Sequence, residues 1–179
     1  MAESDLPVVI AGGGLVGLST AMFLAQHGVP SLVIERLRGG SPVPRAAHFH
    51  LRTIELFRAA GIEQEVTARS AEEFLPEGAI ISMDTLAGRK LADIIPSLNE
   101  GVDALSPCRR LFVTQPGLEP ILRRRAEAAG AEVLDGHEVV GLDIGWYDGC
   151  DFGPQPSGYE QRTGDIRDVT PADVEGFDA

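Results

Sequence analysis

Three spaced glycines that directly follow a short apolar run constrain the fold of this chain more than any other feature. Residues 7–11 are apolar and rich in β-branched side chains, as a strand buried within a parallel sheet requires. Gly12, Gly14 and Gly17 come next, and apolar residues then recur at helical spacing over the following ten positions. A second apolar run extends from Ser31 to Glu35. The first 36 or so residues are therefore predicted to form a strand–helix–strand unit.

Each glycine of this G-x-G-x-x-G motif has its own physical reason in a dinucleotide-binding turn. Gly12 permits a tight exit from the strand, Gly14 lets a diphosphate approach the backbone, and Gly17 lets the helix pack closely on the strand. Leu15 and Val16 open the helix, where free amide donors and the positive end of the helix dipole stabilise phosphate charge. All five residues are predicted to bind the cofactor.

An acid at the end of the second strand strengthens this interpretation. The carboxylate of Glu35 can accept hydrogen bonds from ribose hydroxyls, and it repels a 2′-phosphate. The pattern therefore favours FAD or NAD over NADP, with Arg36 as a further predicted contact. A glycine-rich turn without a ligand is the alternative, but strand, glycines, helix, strand and acid all occur in the order that the motif requires.

Charge and cysteine content exclude several functional classes. A formal net charge of -12 argues against nonspecific binding to nucleic acid or to anionic membranes. Two cysteines, Cys108 and Cys150, do not make a disulfide framework, and Cys108 is interpreted as a small buried residue. The N-terminal segment has no basic cluster, and glycines interrupt its apolar run, so we expect neither a signal peptide nor a membrane span. A cytoplasmic protein is predicted.

Further elements follow from hydrophobic periodicity and from glycine or proline punctuation. The sequence predicts a loop from Arg36 to Phe49, a helix from Leu51 to a stop at Gly61, a hairpin over Gly78–Leu91 turning at Ala87-Gly88, a helix over Leu118–Gly130, and strands over Ala131–Leu134 and Glu138–Ile144.

Three segments together resemble a known family. They read GGGLVGLSTAMFLAQHGVPSLVIER, PRAAHFHLRTIELFRAAGI and CRRLFVTQPGLEPILRRRAEAAGAEV. In order and spacing, roughly over residues 6–144, they resemble the class A flavoprotein monooxygenases, which are FAD-dependent aromatic hydroxylases. The resemblance implies an α/β fold with a Rossmann-like FAD/NAD(P)-binding βαβ domain, here incomplete, and the start of a β-rich substrate subdomain.

The resemblance also implies a division of the chain. Residues 1–145 would be the FAD-binding domain, with a β-hairpin region of the substrate subdomain inserted at approximately 76–108. Residues 146–179 are rich in acids, glycine and proline, without a clear period, and this composition predicts a disordered tail.

Further cofactor contacts are implied only by the resemblance. Arg45 matches an arginine that approaches the FAD phosphates and ribose, and Arg52 matches the arginine that opens the following helix. Gln115 matches a glutamine near the ribityl and phosphate region, and Val139 or Val140 marks where the backbone meets adenine. From the residues alone, Arg45 could be a solvated loop arginine, Arg52 a helix-surface residue and Gln115 a capping group.

The family reaction uses FAD, NAD(P)H and oxygen to hydroxylate a small aromatic substrate. This sequence lacks the family's later flavin- and substrate-binding segments, so it is interpreted as a truncated FAD-binding portion without assignable catalytic residues. A non-catalytic flavin- or nucleotide-binding remnant and an NAD-binding dehydrogenase domain are the alternatives. His48 and His50 would face one side of an extended segment, but no third ligand is at hand, and no metal site is predicted.

Overall fold

The computed structural model describes residues 8–40, 47–76, 78–145 and 160–177 of the chain. Its helices are α1 (Leu15–Gln26), α2 (Leu51–Ala59), α3 (Glu63–Glu73) and α4 (Gln115–Ala128). Its strands are β1 (Val8–Ala11), β2 (Ser31–Glu35), β3 (His48–Phe49), β4 (Ile80–Met83), β5 (Lys90–Ile95), β6 (Leu111–Phe112), β7 (Glu132–Asp135), β8 (Val140–Asp143) and β9 (Glu160–Thr163). Packing divides the chain into two compact units, Met1–Gly136 and His137–Ala179.

A parallel sheet with strand order β1-β2-β7 organises the first unit. Ala11 lies opposite Ile34, and Glu35 lies opposite Asp135. The carboxyl ends of the three strands therefore meet at one edge of the sheet. The strands predicted at 7–11, 31–35 and 131–134 are confirmed to within one residue.

Helices α1 and α4 pack against each other in the core of the first unit. Leu18 and Met22 of α1 are buried with Leu118 and Leu122 of α4, and Val33 of β2 joins the same cluster. Burying one large aliphatic side chain stabilises a fold by roughly 1.5–3 kcal/mol. This packing fixes α4 beside the helix that follows the glycine motif.

The start of α4 is capped by its own Thr114, which a neighbouring helix also contacts. Thr114 precedes the helix, and its Oγ1 accepts the Gly117 N–H at 3.2 Å. The carboxylate of Glu73, at the end of α3, accepts the Thr114 N–H at 2.7 Å. The prediction that this helix begins at Leu118 was three residues late, because the cap Thr114 and Pro116 of the first turn precede the apolar period on which the prediction relied.

The remaining helices and short strands of the first unit bring distant segments together. Helix α2 lies where the sequence predicted it and is followed by Gly61 at φ +77°. Helix α3 was not predicted, because only two of its residues, Val66 and Ser70, are buried and its apolar period is weak. Strand β3 lies at the end of the segment predicted to be a loop, and it pairs antiparallel with β6.

The predicted hairpin is confirmed as the antiparallel pair of β4 and β5. Its turn spans residues 84–89, because the Asp84 carboxylate accepts the N–H groups of both Thr85 and Arg89 at 2.7 Å. The exposed apolar residues of the hairpin are Ile80, Ile81, Leu86, Leu91, Ile94 and Ile95.

In the second unit, β8 pairs parallel with β9. The strand predicted at 138–144 is observed over the shorter range of β8. Residues 160–177 contain β9 and a 3-10 turn in place of the predicted disorder, and Asp165 caps that turn by accepting the Arg167 N–H at 2.9 Å. Backbone pairing and local capping order this stretch despite its polar composition. Residues 146–159 of the predicted tail lie outside the described residues.

Every helix within the described ranges is too short or too polar to cross a bilayer. Over the same ranges, no three His, Cys, Asp or Glu side chains converge as a metal site would require.

Candidate nucleotide-binding site

The chain leaves β1 through a glycine in a left-handed conformation. Gly12 has φ +104°, and its N–H donates to the carbonyl of Ile34 at 2.8 Å. Residues other than glycine rarely adopt this backbone conformation. Gly12 therefore turns the chain sharply between two paired strands, as the motif predicted.

Gly17 is where α1 approaches β1 most closely. A Cβ added to Gly17 would lie 1.9 Å from the Gly12 carbonyl oxygen and 3.2 Å from Cγ2 of Ile10. Both neighbours belong to the strand or its exit. The close packing of helix on strand that the motif assigned to Gly17 is present in the structure.

Gly14 differs from the other two glycines, because neither its backbone nor its surroundings require glycine. It precedes α1 with φ −75° and ψ −173°, which any residue can adopt. An added Cβ would stand 3.8 Å from Glu119 Oε1 and 3.9 Å from Gln115 Nε2, which are ordinary contact distances. A single methyl group at Gly14 would therefore fit against Gln115 and Glu119, and the protein itself does not require glycine at this position.

Gly14 lies at the N-terminus of α1, which has no side-chain cap. The first amides of an α-helix have no acceptor within the helix, and they carry the positive end of its dipole. The N–H groups of Leu15 and Val16 belong to this turn, and Val16 is 83% exposed. This arrangement can bind a phosphate through backbone donors alone.

The carboxylate of Glu35 is directed at the glycine turn. Its Oε2 accepts the Gly13 N–H at 2.6 Å, and its Oε1 accepts the Leu37 N–H at 2.7 Å. Each carboxylate oxygen has a second lone pair that can accept another hydrogen bond. The structure thus places an acceptor for sugar hydroxyls beside the candidate phosphate position.

The first turn of α4 lies against the same glycine turn. Gln115 is the first residue of α4, and its Nε2 donates to Glu119 Oε1 at 2.6 Å. Glu119 is buried, and sequence reasoning missed it as a site residue. The helix predicted from Leu118 did not include Gln115, so the sequence predicted neither the one-turn spacing of Gln115 and Glu119 nor their closeness to Gly14.

A cavity of about 210 Å³ extends from the glycine turn along the sheet edge. Gly13, Glu35, Glu119, Arg123 and Asp135 are among its lining residues. Arg123 Nη1 bonds both Asp135 oxygens at 2.8 and 2.9 Å. Burial opposes the charge of Arg123, but hydrogen bonds to Glu127 and Asp135 outweigh it and raise the guanidinium pKa. The Arg123 guanidinium is therefore paired with Asp135 of β7.

The other predicted contacts stay predictions. Arg36 is exposed just after β2. The Arg52 side chain is 78% exposed and pairs with Glu55 at 3.1 Å on the surface of α2. Arg45 lies outside the described residues, and Val139 and Val140 belong to the second unit.

Cys108 is a buried thiol, as predicted, and is 2% exposed. Burial, together with the nearby charge of Glu63, raises the pKa of this thiol. A thiol held neutral in this way is a poor nucleophile at neutral pH.

His48 lies in an environment that disfavours its protonated form. Its ring stacks on Phe112 with centroids 4.8 Å apart, and its Nε2 is buried without a hydrogen-bond partner among the described residues. Burial, followed by the nearby charges of His50 and Arg110, lowers the pKa of His48.

We therefore expect acid to destabilise the first unit through His48. Its folded-state pKa lies below that of the unfolded chain, so the unfolded chain binds more protons as pH falls below about 6.5. The free energy of unfolding, measured with urea between pH 5 and 8, should decrease toward pH 5. His48→Phe keeps the stacked ring and should flatten this slope, whereas the exposed His27→Gln should not. An unchanged slope in His48→Phe would contradict the expectation.

Comparisons with known proteins all identify FAD-binding domains or monooxygenases as similar to this chain. A sequence profile described as "FAD binding domain" matches residues 5–146. A 4-methyl-5-nitrocatechol 5-monooxygenase from a Burkholderia species is 49% identical over 140 residues, covering 78% of this chain and 26% of that protein. A tetracenomycin A2 monooxygenase-dioxygenase from Streptomyces glaucescens is 36% identical, covering 74% of this chain and 26% of that protein.

A solved structure is similar over the same region. The crystal structure of a ternary complex of aklavinone-11 hydroxylase with FAD and aklavinone aligns with a TM-score of 0.64 and 34% identity. The match covers 79% of this chain and 27% of that one. The chain thus spans about a quarter of the length of these proteins.

Proposed function

We propose that this chain, which belongs to the FAD-binding domain family of the FAD-dependent aromatic hydroxylases, binds the ADP half of FAD at the glycine turn. The chain corresponds to an N-terminal portion of these enzymes. The observation that carries the proposal is Gly14, which neither its backbone conformation nor its protein neighbours require to be glycine. The protein itself explains two glycines of the motif, and a diphosphate that approaches the backbone would explain the third.

The diphosphate would lie against Gly14 and the amides of Leu15 and Val16. The uncapped N-terminus of α1 supports this, because it offers donors and a positive field without a basic side chain. Gly12 and Gly17 would act indirectly by shaping the turn that presents these amides.

The adenosine ribose would be bound by Glu35. Its carboxylate already bonds to the glycine turn and has acceptor capacity left for hydroxyl groups. The same charge would repel a 2′-phosphate, which favours FAD over an NADP-type ligand.

Gln115 would contact the cofactor from the first turn of α4, since its amide lies beside Gly14. The family resemblance supports Arg45, on the phosphate and ribose side, and Arg52 as further contacts, and we propose Arg36, just after β2, as another. It also supports an adenine contact at Val139 or Val140.

The proposed fold is a Rossmann-like domain of which this chain carries the first three parallel strands. The order β1-β2-β7 and the helices α1 and α4 support it. The β4–β5 hairpin would begin a substrate subdomain, as its exposed apolar side chains suggest a sheet meant to pack on further structure. On this basis residues 1–145 remain our proposal for the FAD-binding domain.

For the whole protein we propose NAD(P)H- and oxygen-dependent hydroxylation of a small aromatic substrate, by similarity to its relatives. FAD, when bound, would supply the redox chemistry. The described residues would contribute binding and orientation of its nucleotide half.

Gly14→Ser tests the cofactor assignment while sparing the fold. Serine is a good residue for this position and can cap α1, so the urea midpoint of the ligand-free protein should stay the same or rise. The serine side chain would fill the diphosphate space and compete for the same amides. We expect FAD affinity, measured by flavin fluorescence titration, to fall about tenfold or more.

Ala59→Ser is the matched control, because it adds a hydroxyl at an exposed position of α2 and should leave FAD affinity unchanged. Unaltered FAD binding in Gly14→Ser would count against the site. A parallel titration with NAD separates FAD binding from the dehydrogenase-type alternative, which requires NAD to bind more tightly than FAD.

A further inference from the structure

A buried acid lies next to the glycine turn. Glu119, one turn into α4, is 5% exposed. Its Oε1 accepts from Gln115 Nε2 at 2.6 Å and lies 3.8 Å from where a Cβ on Gly14 would stand. Its Oε2 lies 2.7 Å from the corresponding position on Gly40. The carboxylate therefore fills the space between α4, the glycine turn and the Gly40 segment.

A negative charge in this place opposes the proposed ligand. Screening by water is weak for buried groups, so a carboxylate close to Gly14 repels an incoming diphosphate. Glu119 therefore does not attract the phosphates. If it favours FAD binding, it does so through the side chain that it hydrogen-bonds.

Glu119 holds the side-chain amide of Gln115. A carboxylate only accepts hydrogen bonds, so the amide must turn its NH2 group toward Glu119. A charge-assisted bond of this length is stronger than a bond between neutral groups and restricts a side chain that otherwise has several rotamers. Gln115 is thereby kept in one orientation beside Gly14.

We propose that Glu119 is a positioning residue for FAD, which orients the Gln115 amide toward the diphosphate side of the cofactor at an electrostatic cost to binding. This inference rests on the proposed function. We expect FAD affinity to fall when the hydrogen bond is lost and not to fall when only the charge is removed.

The test is a double-mutant cycle read by FAD titration. Glu119→Ala removes the acceptor and should weaken FAD binding about tenfold, and Gln115→Ala should cause a similar loss. The double variant should bind no more weakly than Gln115→Ala alone, because Glu119 acts through Gln115. Glu119→Gln keeps an oxygen acceptor without the charge, and it should bind FAD at least as tightly as the unmodified chain.

A ligand-free measurement accompanies the titration. In ¹⁵N NMR spectra, the shifts of the Gln115 side-chain NH2 group should stay away from random-coil values in Glu119→Gln and move toward them in Glu119→Ala. The urea midpoint of each variant, compared with that of the unmodified chain, shows whether its loss of FAD affinity is caused by unfolding.

The outcomes separate the two claims. An unmodified chain that binds no FAD overturns the proposed function and this inference with it. If the unmodified chain binds FAD, two results would overturn this inference alone. One is that the affinity losses of Glu119→Ala and Gln115→Ala add in the double variant, and the other is that Glu119→Gln binds FAD as weakly as Glu119→Ala.

Discussion

Gly17→Ala is expected to abolish folding of the first unit or to destabilise it by several kcal/mol. The new Cβ would lie 1.9 Å from the Gly12 carbonyl oxygen, and this neighbour is backbone held by the turn between two paired strands. Overpacking typically costs about 1–3 kcal/mol even where side chains can adjust. The better helix propensity of alanine returns only about 1 kcal/mol, so the steric term decides the sign.

Urea unfolding followed by circular dichroism, without FAD, measures this effect. Thr20→Ala is the matched control, because Thr20 is exposed on the same helix and its replacement should be nearly neutral. A Gly17→Ala protein with an unchanged urea midpoint would show that α1 does not approach β1 as closely as the structure has it.

The second large effect concerns ligand binding. Glu35→Ala should lower FAD affinity on the order of 100-fold, because it removes the acceptor for ribose hydroxyls and leaves the Gly13 N–H without its partner. Glu35→Gln keeps the shape and one acceptor oxygen, so its loss should be smaller. Isothermal titration calorimetry measures both.

Charge gives Glu35 a second, independent readout. Without the carboxylate, the preference for AMP over adenosine 2′,5′-bisphosphate should decrease in Glu35→Gln, because the repulsion of the 2′-phosphate is gone. Glu132→Gln, at an exposed position of β7, should change neither measurement. If Glu35→Gln leaves both the affinity and the AMP preference intact, the ribose assignment is wrong.

Much of the first unit was predictable because its signals are local. The strands, the helix between them and the Gly12 turn follow from apolar periodicity and glycine sterics within about 30 residues. The prediction for α4 began three residues late, although its cap Thr114 and Pro116 in its first turn are local signals. The sequence does not show that Glu73 also bonds to Thr114, because packing alone brings these two residues together.

The sequence by itself determined the glycine turn, the direction of the strands that flank it and the acid at the end of β2, because residues close along the chain produce all of these features. Only the tertiary structure decided that α4 lies beside this turn and that Glu119 is buried against Gly14 and Gly40. Those contacts join residues about 80 to 100 positions apart, and no periodicity or spacing encodes such a distance. They arise because α1 and α4 bury their apolar faces against each other, which carries the first turn of α4 to the edge of the sheet.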